Sequence, residues 1–157
     1  MTRSIRLALG TLLLAALALG SVVTTAAGGP KLLDSRMVGI PTGGLLLNGV
    51  TGGGAPWQID EGRVMLFADG RLHVEVQGLT LLSGVNPIAN GRAIVTCAST
   101  TTGVSAPVFS SASVPFSSTG DAEVNTIASL PDTCLAPAVF FAGVTANGDR
   151  WFAVTGF

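Results

Sequence analysis

The sequence predicts an all-β protein: a single antiparallel β-sandwich of immunoglobulin-like appearance, preceded by a signal-peptide helix. Three observations carry this expectation. Short runs of alternating apolar and polar residues recur after residue 27, separated by Gly, Pro and Asn. Two pairs of runs meet across Asp69-Gly70 and Asn147-Gly148, dipeptides that favour tight hairpin turns. No stretch after residue 27 repeats its apolar residues at helical spacing between capping residues.

Composition bounds the function. Of 157 residues, 48% are hydrophobic and 11% charged, enough for a core and too little charge for a solvated disordered chain. Lys and Arg number 8 against 9 Asp and Glu, so no basic excess is available for a phosphate backbone and nucleic-acid binding is disfavoured. The absence of Tyr counts against an outer-membrane barrel, whose rims carry Tyr and Trp.

Residues 1–27 read as a secretory signal peptide. Arg3 and Arg6 supply the positive start, Leu7 to Leu19 the apolar stretch, and Thr25-Ala26-Ala27 the small residues a peptidase needs. The competing reading is an uncleaved anchor, because apolar residues continue through Val22 and Val23. Cleavage leaves a chain with no integral membrane span, placed outside the cell, in the periplasm or on the envelope. Residues 28–56 then read as a Gly-rich, partly mobile N-terminal segment, and 57–157 as the β-sandwich domain. Gly43-Gly44, Gly49 and Gly52-Gly53-Gly54 punctuate the apolar runs Met37–Ile40 and Leu45–Leu47. No Lys follows these glycines, so a phosphate-binding loop is not indicated.

The plainest element is the hairpin of Arg63–Phe67 with Leu72–Val76. A type I′ turn with a two-residue loop at Asp69-Gly70 pairs Phe67 with Leu72 and Met65 with Val74. That register makes Phe67, Leu72, Met65 and Val74 the core face and turns Leu66, Val64, His73 and Glu75 outward. Gly78 to Pro87 reads as a loop, and Arg92–Cys97 as a strand. Residues 93–120 carry no charge, and Pro107 and Pro115 mark edge strands or irregular loops. Asp121–Ile127 reads as another strand. Pro137–Val144 and Trp151–Val154 form a second hairpin, turning at Asn147-Gly148 with Trp151 opposite Val144. Its near-continuous apolar run predicts a strand covered on both faces, or one whose outer face meets another chain.

Cys97 and Cys134 are the only cysteines, an even count that on an exported chain reads as one disulfide. A zinc site wants four ligands and His73 is the sole histidine, so no metal is expected. His73 is also the only general base near neutral pH, and Glu75, two residues on, shares its face. With a serine the two suggest a hydrolase, but no Gly-x-Ser-x-Gly elbow accompanies them. Asp60 and Glu61 read as solvated or paired with Arg63 or Arg92. Trp57 and Trp151 read either as core anchors or as platforms for a sugar ring. The candidate ligand contacts are therefore Trp57, His73 and Glu75; no catalytic residue and no cofactor are expected.

Several strings carry a resemblance: Ile59-Asp60-Glu61-Gly62-Arg63, Asp69-Gly70-Arg71-Leu72, Gly78-Leu79, Asn86-Pro87, Arg92-Ala93, the two cysteines and Trp151–Gly156. Over residues 57–156 the chain resembles a group of uncharacterised exported bacterial proteins. The resemblance implies a secreted β domain with one disulfide and brings no catalytic residues. Residues 59–81 are also similar to the strand pattern of CHRD domains, in which a hairpin ends in a Gly-Leu pair. The His-containing segment usual after that pattern is missing here, so no metal site carries over.

The functional expectation is a secreted, non-enzymatic binding or structural module whose partner is another protein or a surface glycan. Two alternatives stand beside it. One is a small secreted hydrolase using His73 and Glu75. The other is a subunit of a surface assembly that pairs through the Phe140-Phe141 hairpin.

Overall fold

The computed structural model describes residues 28–156, and the signal-peptide reading lies outside them. The described chain is all-β and antiparallel, as the sequence predicts. Its strands are β1 (Lys31–Gly39), β2 (Leu46–Leu47), β3 (Val50–Thr51), β4 (Trp57–Gln58), β5 (Glu61–Phe67), β6 (Arg71–Gln77) and β7 (Thr80–Leu81). There follow β8 (Asn90–Ala98), β9 (Ser105–Ser110), β10 (Val114–Pro115), β11 (Ala122–Ile127), β12 (Leu135–Thr145) and β13 (Gly148–Thr155). One sheet runs β10-β8-β12-β13-β1-β5-β6-β11, with β9 also on β8, and curls into a half-barrel. Two short pairs, β2–β3 and β4–β7, lie apart from it.

The two sandwich layers are joined rather than separate, and β1 is the joint. Leu33 to Arg36 pair with β5, while Met37 to Gly39 pair with β13. The Gly-rich segment that the sequence presents as a partly mobile leader to the domain therefore supplies a central strand. The apolar run that begins at Met37 is the half that pairs with β13, and the charged residues Lys31, Asp34 and Arg36 lie on the half that pairs with β5.

The first hairpin corrects the expected register by one residue. Leu66 pairs with Leu72, Met65 with His73 and Val64 with Val74. Only Gly70 takes positive φ, +85°, and its N–H donates to Phe67 O at 2.9 Å. This is a three-residue loop with a left-handed Gly, not a type I′ turn. The shift moves every side chain of β5 to the other face. Val64, Leu66, Leu72, Val74 and Val76 fill the core, and Met65, Phe67, His73 and Glu75 face outward.

The second hairpin also shifts. Thr145 pairs with Gly148 and Ala142 with Trp151, so Trp151 does not oppose Val144, which faces Asp149. Here too the Gly alone is left-handed, with Gly148 at φ +90°. Val139 to Gly143 are buried on both faces, as one reading of the apolar run required. Phe141 turns inward, where its ring meets Phe116 edge-on at 5.1 Å. Phe140 turns outward onto Trp151, ring centres 5.6 Å apart.

The β2–β3 hairpin covers that outward side. The Trp151 indole N–H donates to Leu45 O and Val50 O, both at 3.1 Å. Asn48 Nδ2 donates to Thr96 Oγ1 at 3.2 Å. Gly53 N–H donates to Trp151 O at 3.0 Å, and a Cβ on Gly53 would stand 2.9 Å from the Phe152 ring. The glycines of this segment thus let backbone lie against an aromatic strand. Cys97 and Cys134 are disulfide-bonded and tie β8 to the start of β12.

Candidate functional site

The residues singled out from sequence do not converge. Trp57 is 5% exposed and stacks on Phe152 with ring centres 3.9 Å apart. Its indole is a core anchor shared with Phe116, not a ligand platform. His73 and Glu75 do come together, on the outer face of the layer β1-β5-β6-β11.

Period-two alternation builds this face. β6 buries Leu72, Val74 and Val76 and presents Arg71, His73, Glu75 and Gln77. β11 presents Glu123, Asn125 and Ile127 beside them, because Glu123 pairs with Glu75, Asn125 with His73 and Ile127 with Arg71. β5 adds Arg63 opposite Glu75 and Met65 opposite His73. β1 adds Arg36 opposite Arg63 and Asp34 opposite Met65. Two cations and two carboxylates thus cross the face in one row: Arg36, Arg63, Glu75, Glu123. The next row reads Asp34, Met65, His73, Asn125.

His73 is held within this face. Its Nδ1 lies 2.7 Å from Asn125 Oδ1, and Asn125 Nδ2 donates to Glu123 Oε1 at 2.6 Å. Glu75 Oε2 stands 4.0 Å from Nε2, and Glu123 Oε1 stands 3.8 Å from Nδ1. Gln77 Nε2 donates to the other oxygen of Glu75 at 2.8 Å. Sequence reasoning missed Asn125 and Glu123. Pairing β11 beside β6 would have found them, since both strands were recognised.

Beside His73 lies a shallow depression of about 390 Å³, lined by Phe67, Arg71, Leu72, Asn125, Thr126 and Ile127. The Arg71 guanidinium sits 4.2 Å over the Phe67 ring and donates to Asp69 at 2.8 Å. Among the described residues no group of three His, Cys, Asp or Glu side chains is placed to hold a metal ion.

The perturbed carboxylates serve the frame. Hydrogen bonding to Lys31 holds the Asp34 carboxyl below its usual value. The Gly29 N–H, with Arg71, does the same for Asp69. The Thr119 hydroxyl and the Gly78 N–H do it for Asp121. Asp60 and Glu61 make no ion pair with Arg63 or Arg92. Arg63 leans to Asp34 at 3.6 Å and Arg92 to Asp149 at 3.5 Å.

No known protein family, curated protein or solved structure matches this chain.

Proposed function

We propose that this chain is a secreted, non-enzymatic binding or structural module of the cell exterior or envelope, and that it meets a protein partner through the outer face of β1-β5-β6-β11. The observation that carries this reading is the cross-linked row on that face. His73, Asn125, Glu123, Glu75 and Gln77 fix one another on rigid paired strands, open to solvent. Such a surface offers a partner preset charges and donors without having to order them on binding.

Two further observations support it. The disulfide suits an oxidising compartment outside the cytoplasm. The burial of Trp57 removes the stacking platform that favoured a glycan and leaves the protein partner. A hydrolase working through His73 needs a hydroxyl within hydrogen-bond reach of the ring, and the ring bonds instead to the Asn125 carboxamide. The pairing of β12 on both edges and the burial of both rings count against assembly through the Phe140-Phe141 hairpin.

A photo-crosslinking residue at Met65 in the producing cell tests the reading. It should yield an adduct with another polypeptide that the same residue at Leu46 does not. Equal adducts at the two positions, or none at Met65, would refute it.

A further inference from the structure

We propose that the outer edge of β11 pairs with β11 of a second copy of this chain, antiparallel about a two-fold axis at Asn125. The proposal goes beyond the reading above: it concerns main-chain groups of an edge, and stands whether or not the outer face binds a partner.

The hydrogen-bond phase shows which groups are free. Ala128 N–H donates to Gly70 O at 2.7 Å, one step beyond the Ile127–Arg71 pair. In an antiparallel ladder such bonded pairs alternate, so Thr126, Val124 and Ala122 aim their main-chain groups at β6. Glu123, Asn125 and Ile127 then aim N–H and C=O away from it. β11 is the last strand of the sheet, and β10 approaches it without pairing.

The two edges of the sheet differ in protection. The β9–β10 edge carries Pro107 and Pro115, and its register on β8 shifts between Val95 and Thr96. β11 has no Pro, no Lys and no register shift along its pairing with β6. Prolines, bulges and charges, lysine above all, keep an edge from adding a strand, and of these β11 carries only the one charge of Glu123.

Charge selects a second copy as the occupant. Glu123 and Glu75 form an acidic end of the β6–β11 pair, and the other end holds Ile127 and Arg71, whose guanidinium also bonds Asp69. A two-fold axis at Asn125 sets Glu123 opposite Ile127 of the second copy, with that copy's Arg71 one strand further on. The mirror contact repeats the match, and no like charges oppose each other. Ile127, 65% exposed in the single chain, is covered by the stem of Glu123. The three opposed pairs exchange about six main-chain hydrogen bonds.

Sedimentation velocity on the purified, disulfide-bonded protein tests this, from low micromolar to several hundred micromolar. The wild type should pass from monomer to dimer. Asn125→Pro removes an outward N–H that the chain's own sheet does not use, and should abolish the dimer. Ile127→Glu places carboxylates opposite Glu123 twice and should weaken dimerisation about tenfold. Ile127→Thr, which adds no charge, should weaken it less. If Asn125→Pro fails to fold by its urea midpoint, the Ile127 pair decides alone. A protein monomeric throughout overturns the proposal, including one that takes up an extended peptide of another protein along this edge. A dimer indifferent to Asn125→Pro, or weakened equally by both Ile127 variants, overturns it too.

Discussion

Trp151→Phe tests whether the Gly-rich segment is fastened to the sheet or only rests on it. Trp151 is 1% exposed, and its indole N–H is shared between Leu45 O and Val50 O at 3.1 Å each. Phenylalanine keeps a ring over Phe140 but has no donor. Leu45 O retains the Gly52 N–H at 2.7 Å, and Val50 O stays paired with Leu47 in the β2–β3 ladder, so neither carbonyl is left without a partner. The lost indole hydrogen bond is worth about 0.5–1.5 kcal/mol, and the smaller ring leaves a gap worth roughly 1 kcal/mol more. The expected destabilisation is about 2 kcal/mol. Because the lost bonds join one short hairpin to the sheet, part of it should appear as local opening. Amide exchange at Gly44, Gly52 and Gly53, whose N–H groups donate to Gly53 O, Leu45 O and Trp151 O, should speed by roughly tenfold or more. Exchange at β6 amides should change less. The reasoning fails if those glycine amides exchange freely in the wild type, or if their protection survives the substitution unchanged.

Replacing both Cys97 and Cys134 by Ala releases a loop with a sequence separation of 37, which should cost about 4 kcal/mol; the urea midpoint of the variant against the oxidised wild type measures it. Asp121 gives a pH dependence. Its carboxyl is held below the ordinary 3.8 by Thr119, Gly78 and Ser117, so the folded state takes up the proton less readily than the unfolded chain. The stabilisation is complete above about pH 4 and is lost as pH falls through the depressed folded value. Asp121→Asn should therefore lower the urea midpoint at neutral pH and flatten its fall in acid, and an equal slope in both proteins would count against the Asp121 contacts.

Element type was legible because it depends on local pattern. β5, β6, β8, β11, β12 and β13 all stand where alternation or apolar runs placed them. Register was not, because it depends on φ at the turn, which composition does not fix. Asp69-Gly70 and Asn147-Gly148 both suggested type I′ turns, and each uses only its Gly in the left-handed region. The Asn-Gly pair with both residues left-handed is Asn48-Gly49, at φ 49° and 78°, between Leu47 and Val50. It passed unnoticed because its flanking runs are too short to show alternation. β1 was hidden for another reason. Its polar residues Asp34, Ser35 and Arg36 lie on the half that pairs with β5 and is open on one face, so no buried-strand pattern emerges. The candidate site was half legible: His73 and Glu75 share a face by spacing, whereas Asn125 and Glu123 join them through a pairing between distant segments.

The joint made by β1 sets the order in which the molecule can be completed. Met37 meets Thr155 across almost the entire described chain, while Ser35, two residues earlier, meets Val64. One half of the strand can thus find its neighbour early in synthesis, and the other must wait for β13. Until then the aromatic strands β12 and β13 lack the flank that seals them. A contact this distant in sequence is slow to close.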